Sequence, residues 1–226
     1  MTVFLVGGSK GGVGKTLLSF ALSDFFEVND HPFAVVESDS ANSDFSSAFL
    51  STKNPPKIAH ISLDSEAGFR QLIAFATSQN SDVIVNSPAG FVSFIRTHGS
   101  AFEGALLANN LPMITYWPIN RERDSMNALK QFIDHITLPC IPVRNLVFGE
   151  PDEFELFNHS RLKESLDEKQ NLTINMPALA SRCAVQLRNE RWTISTGLNK
   201  SSFSNRIELF RWRTAMHDEL ARVLKP

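Results

Sequence analysis

Only two cysteines occur in 226 residues, no apolar stretch approaches the roughly 20 residues that cross a bilayer, and no segment is repeated or of low complexity. Cys140 and Cys183 each lack a second thiol or a histidine at ligand spacing. That excludes a cysteine metal motif and makes a disulfide framework an unsuitable reading, so a reducing cytoplasm is the expected compartment. The opening MTVFLVGGSK has neither a basic leader nor a small-residue cleavage site, so no signal peptide is expected. What the chain does have is 42% apolar and 20% charged residues, the balance of an ordinary globular protein. One domain over residues 1–226 is the expectation, ending in a helix over 203–226.

The net charge is only −2 and unevenly placed. Residues 1–180 carry 13 basic and 20 acidic side chains, while residues 181–226 carry nine basic and four acidic ones. Such asymmetry can mark an anionic partner, or simply a solvated helical face.

Short β-rich runs alternate with segments of helical period. The strands read TVFLVG, FAVVE, KIAHISL, DVIVN, MITYWPI, IPVRNLVF and LTINM. Leu17, Leu18, Ala21, Leu22, Phe25 and Phe26 repeat at helical spacing straight after a glycine turn. Further helices are expected at 66–79, 100–109, 122–137, 152–168 and 178–190, and a last one from Phe203. The stretch NERWTISTGLNKSSFSN reads as a loop. This alternation predicts an α/β fold, a mostly parallel sheet with helices on both faces.

The strongest local signal is SKGGVGKT at residues 9–16, between the first strand and the first helix. Glycines let successive N–H groups curl inward, and a helix N-terminus adds positive potential, so the turn suits phosphate. In this pattern Gly11, Gly12, Val13, Gly14, Lys15, Thr16 and Leu17 form the nucleotide cradle, as in phosphate-loop proteins. Lys15 reaches the terminal phosphates and the Thr16 hydroxyl ligates Mg²⁺. The strict pattern G-x-x-x-x-G-K-[ST] fails at its first position, which is Ser9.

That missing glycine and the extra lysine together make KGGVGKT resemble the deviant Walker A motif of the ParA/MinD superfamily. The resemblance implies ATP and Mg²⁺ as cofactors and a nucleotide-sandwich homodimer, with Lys10 crossing to the partner's phosphates. ESDSANSD, after the second strand, resembles the family's first switch. Asp39 there matches the acid that positions the attacking water, and Glu37 stands where the family usually has an aspartate. NSPAG resembles the second switch, but Asn86 replaces the aspartate that braces the Mg²⁺ shell. The expected loss is about 1 kcal/mol, or roughly tenfold if it falls on the barrier, with Glu37 placed to compensate in part. Leu17 also stands where a second threonine is usual. The resemblance places purine-reading residues after a late strand, where VRNLVFGEPDEF is the candidate.

The implied function is an ATP-dependent dimeric switch, a slow partner-stimulated ATPase that partitions or positions DNA with an adaptor protein. The alternative is a nucleotide-binding scaffold with little or no hydrolysis. A relative of the nitrogenase iron protein would need cysteines after the second switch, and residues 91–139 hold none. A metabolic synthetase or kinase would need a substrate motif that is not seen. For DNA, Arg188, Arg191, Arg206, Arg211 and Arg213 are the candidate phosphate contacts. Leu209, Trp212, Met216, Leu220 and Val223 share one face of the last helix, which reads as core rather than as a membrane anchor.

Overall fold

The structure, a computed structural model, describes residues 1–8, 11–39 and 43–224. Seven strands form one sheet: β1 (Val3–Val6), β2 (Phe33–Glu37), β3 (Ile58–His60), β4 (Asp82–Asn86), β5 (Met113–Ile119), β6 (Cys140–Asn145) and β7 (Ile174–Met176). Their spatial order is β3-β2-β4-β1-β5-β6-β7, and every pairing is parallel. The sheet is thus wholly rather than mostly parallel.

Parallel strands buried on both faces read as continuous apolar runs, and this explains VFLV and DVIVN. Along β1, Val3 and Leu5 join one core while Phe4 and Val6 join the other. The same alternation runs through β4, with Val83 and Val85 on one side and Ile84 on the opposite side. The first core is closed by α3 (Glu66–Thr77), α4 (Phe91–Ala108) and α5 (Arg123–Ile133), through Phe69, Phe94, Phe102 and Phe132. The second is closed by α1 (Lys15–Val28), α8 (Ser181–Asn189), α9 (Ile194–Lys200) and α10 (Phe203–Ala221). Phe45 of α2 (Asp44–Ser47) adds to the second core, and Phe157 of α6 (Glu155–Asn158) and Leu166 of α7 (Arg161–Glu168) add to the first.

Several boundaries differ from the sequence reading. Helix α4 starts at Phe91, nine residues before the expected position, because Phe91, Phe94, Ile95 and Phe102 bury one face of it. The expected helix over 152–168 is broken, with short 3₁₀ turns at Leu146–Phe148 and Pro151–Glu153 and then two helices. Ser160 caps the second of them by accepting from the Lys163 N–H. The strand KIAHISL shrinks to three residues, and IPVRNLVF ends at Asn145.

The largest correction concerns NERWTISTGLNKSSFSN, which contains helix α9 rather than a loop. Thr193 caps it by accepting from the Thr196 N–H, and Ile194 and Gly197 are buried. A Cβ at Gly197 would lie 2.6 Å from Leu187 and 2.9 Å from Leu209, so the glycine lets three helices meet. The stripe Leu209, Trp212, Met216 and Leu220 on α10 is buried, as expected, and Val223 packs beside it.

Candidate functional site

The sheet order reverses around β1, which has β4 on one side and β5 on the other. In open α/β sheets the crevice at such a switch point, beyond the carboxyl ends of the strands, is the natural ligand site. The glycine loop leaves β1 there and runs into α1.

Two of its glycines are dictated by backbone conformation. Gly12 (φ +80°) and Gly14 (φ +109°) lie in the left-handed region. A Cβ at Gly14 would in addition sit 2.7 Å from Asn145 Nδ2 and from Met176 Cε. The loop is pinned from the opposite side, since Asn145 Nδ2 donates to the Val13 carbonyl at 3.0 Å. Val13 itself is buried.

The loop borders a cavity of about 460 Å³. Gly11, Gly12, Gly14, Lys15, Thr16 and Leu17 line one wall, and Asp39 and Asp44 line another. Lys15 is buried, and its pKa is lowered by desolvation while the Asp39 carboxylate works to raise it. The structure thus brings together all the described residues expected in the cradle, Val13 contributing backbone only. Lys10 lies outside the described residues.

Glu37 and Asn86 sit one layer behind the lining, paired in register across β2 and β4. Asn86 Nδ2 donates to Glu37 Oε1 at 2.9 Å, and Asn86 Oδ1 accepts from Ser19 Oγ of α1 at 3.2 Å. Glu37 also accepts from the N–H groups of Asp39 (3.2 Å) and Ser46 (3.4 Å). Burial, only partly offset by these bonds, pushes its pKa up from 4.5 to about 7. Ser38 Oγ and Ser87 Oγ, next along from these two residues, are buried and find no hydrogen-bond partner among the described residues.

The far wall was largely missed from sequence. It comprises Asn145 and Val147, and then Leu179, Ser181, Val185 and Arg188 around the start of α8. Asn145 and Val147 fall within VRNLVFGEPDEF, the segment expected to meet the base. Leu179, Ser181 and Val185 belong to INMPALASRCAVQL, which resembles the family's late segment after the last core strand, and the fold brings it to the cavity.

The five arginines expected to contact DNA are dispersed. Arg188 lines the cavity just described. Arg213 is turned inward, its Nε donating to Asp24 Oδ2 at 2.6 Å. Arg206 bonds to the Asn199 and Ser201 carbonyls, and Arg211 pairs with Glu208 at 3.0 Å. Arg191 is exposed in the turn after α8. They form no single face because three of them have partners on different elements.

No protein-family profile matches the chain. Protein MobD of Acidithiobacillus ferrooxidans is 33% identical over 225 residues, covering 99% of this chain and 98% of that one. Among solved structures, the septum site-determining protein MinD of Pyrococcus horikoshii, complexed with Mg-ADP, superposes with a TM-score of 0.54 at 11% identity. It covers 100% of this chain and 99% of that chain. A putative plasmid partition protein of Borrelia burgdorferi bound to AMPPNP superposes with a TM-score of 0.55 at 15% identity, covering 93% and 98%. With its deviant Walker A loop seated at the switch point of an all-parallel sheet, the chain belongs to the family of protein MobD and carries the ParA/MinD-type P-loop fold.

Proposed function

We propose that the chain binds ATP with Mg²⁺ in the glycine-loop cavity and acts as a dimeric, nucleotide-dependent switch of the partition type. The observation that carries this reading is the cavity itself, a left-handed glycine cradle with buried Lys15 on one side and Asp39 across from it. The nucleotides bound by the MinD and partition proteins of like fold support it.

The residues present fit both groups. Gly12 and Gly14 hold the left-handed backbone that lets the loop curl, and at Gly14 a Cβ would clash with Asn145 and Met176. The Ser38 and Ser87 hydroxyls, without a partner among the described residues, are donors at the strand ends. Among the described residues no three His, Cys, Asp or Glu side chains form a metal cluster, so a cation here would need phosphate oxygens as ligands. Thr16 would hold Mg²⁺, with Asp39, Asn86 and Glu37 acting through water or from behind. Bound Mg²⁺ supplies charge neutralisation at the phosphates.

The chain's own residues do the rest. Lys15 binds phosphate charge, and desolvation makes that contact stronger than in water. Asp39 orients a water, the positioning on which phosphoryl transfer mainly relies. Lys10, by resemblance, reaches the phosphates of a second copy.

A second reading is a nucleotide-binding scaffold without turnover. It is favoured by the Asn86–Glu37 pair, in which the only acid is buried and held by neutral donors. Binding of a fluorescent ATP analogue and light scattering in Mg-ATP and Mg-ADP test the site. Lys15→Ala should weaken binding on the order of 100-fold, the worth of hydrogen bonds to a charged group. Unchanged binding would place the nucleotide elsewhere. Lys10→Ala should keep binding and lose the ATP-dependent dimer. Measurable turnover that falls on Asp39→Ala selects the switch over the scaffold.

A further inference from the structure

Helix α10 has two apolar faces. Leu209, Trp212, Met216 and Leu220 point into the core. Phe203, Ile207 and Phe210, at positions i, i+4 and i+7, form a second stripe that remains 77%, 55% and 61% exposed. Single exposed apolar residues are ordinary, but a contiguous stripe over two helical turns is the mark of an interaction surface. It borders a recess of about 400 Å³ between α9 and α10, lined by Leu198, Arg206, Ile207, Phe210 and Arg211.

Two arginines, Arg206 and Arg211, line this recess. Arg211 is paired with Glu208 at 3.0 Å, and Glu208 also accepts from the Ala180 N–H at 3.4 Å, so that pair offsets its own charge. Among the described residues the guanidinium of Arg206 meets only main-chain carbonyls, at 3.4 and 3.3 Å, and no carboxylate. A partner that fits must therefore bring apolar side chains at helical spacing together with carboxylates.

We propose that this recess docks an acidic amphipathic helix of a partner protein. Its apolar stripe packs on Phe203, Ile207 and Phe210, and a carboxylate meets Arg206, with the Arg211–Glu208 pair at the rim. The same observations disfavour the other occupants. A DNA backbone takes the cations but gains nothing from two exposed phenyl rings. A two-fold contact with a second copy would bring recesses lined by the same arginines together. A bilayer surface suits a protruding apolar face, whereas these arginines line a recess. Docking does not depend on nucleotide, so it is measured first without any.

The groove is nevertheless wired toward the cavity. Asn205 of α10 donates to Gln186 Oε1 at 2.8 Å and accepts from Arg182 Nε at 2.9 Å, both on α8. Another part of α8 lines the glycine-loop cavity. A docked helix would lie one helix away from it.

Fluorescence anisotropy with a short synthetic helical peptide tests the proposal. The peptide carries leucine and phenylalanine at i, i+4 and i+7 with glutamate on its flanks; a control has lysine in place of glutamate. The chain should bind the glutamate peptide at least about tenfold more tightly. Phe210→Ser and the pair Arg206→Glu with Arg211→Glu should each lose about tenfold or more, with unchanged thermal melts because these side chains are exposed. Equal affinity for both peptides, insensitivity to the variants, or no binding overturns the proposal. So does association with phosphatidylglycerol vesicles, with a short DNA duplex or with a second copy by light scattering, if Phe210→Ser abolishes it.

Discussion

Two carboxylates are buried to the same depth, Asp24 at 2% exposure and Glu37 at 3%, yet their surroundings are opposite. Asp24, midway along α1, is met by Arg213 Nε at 2.6 Å, His217 Nε2 at 2.8 Å and Ser195 Oγ at 3.0 Å. Those partners come from α9 and α10, so the cluster clamps the C-terminal helices onto the helix that carries the glycine loop. Glu37 receives only neutral donors, from Asn86 and two backbone N–H groups. A buried charge is tolerated when paired, and otherwise the group shifts toward its neutral form. Asp24 is therefore a structural carboxyl held by partners from two other helices. Glu37 is a carboxyl whose charge depends on what binds in front of it.

The largest effect should come from breaking the clamp. Asp24→Ala leaves Arg213 partly buried without its partner and should lower stability by about 4 kcal/mol in urea unfolding. A loss below about 1 kcal/mol would erase the contrast between the two carboxylates.

The next effect is a pH dependence at Glu37. Its folded pKa, about 7, lies above the ordinary 4.5, so between those values the folded chain binds the proton more tightly than the unfolded chain does. The contribution is complete below pH 4.5 and is lost as pH rises through 7, by up to about 3 kcal/mol. Unfolding of the nucleotide-free protein across that range should show the decline, and Glu37→Gln should flatten it. A wild-type profile with no such slope would mean that Glu37 does not change its charge across this range.

Asn86→Asp sharpens the comparison from the other strand. It sets a second carboxylate against Glu37, across a contact that is now 2.9 Å. Stability above pH 7 should fall by about 2 kcal/mol without Mg²⁺ and recover in Mg-ATP or in the double variant Glu37→Gln, Asn86→Asp. Failure of the double variant to recover would show that the loss is steric. The smallest change is expected at Arg211→Ala. This surface ion pair is 75% exposed on the arginine side and should matter by less than about 0.5 kcal/mol.

Legibility from sequence followed the range of the interactions. KGGVGKT could be read because a strand, a glycine turn and a helix are contiguous, and the steric demands at Gly12 and Gly14 are local. Glu37 and Asn86 could be brought together because the family pattern puts them at the ends of neighbouring strands, β2 and β4. Helix α9 was read as a loop, since its composition is polar. Its signals are the Thr193 cap and burial of Ile194 and Gly197 against neighbours far along the chain. The arginines were grouped by sign alone, and the fold then separated them. Arg213 found Asp24 across 189 residues, and Arg188 turned to the cavity.

The sequence by itself determined the parallel α/β architecture, the place of the glycine loop and the substitution of Asn86. Each rests on periodicity or chemistry within a few residues. Only the tertiary structure decided which buried charges are partnered, that α8 walls the cavity, and that α10 turns a second apolar stripe outward. Those outcomes depend on desolvation and contact between distant segments, and the free energy of a charge is set by its neighbours in space rather than along the chain.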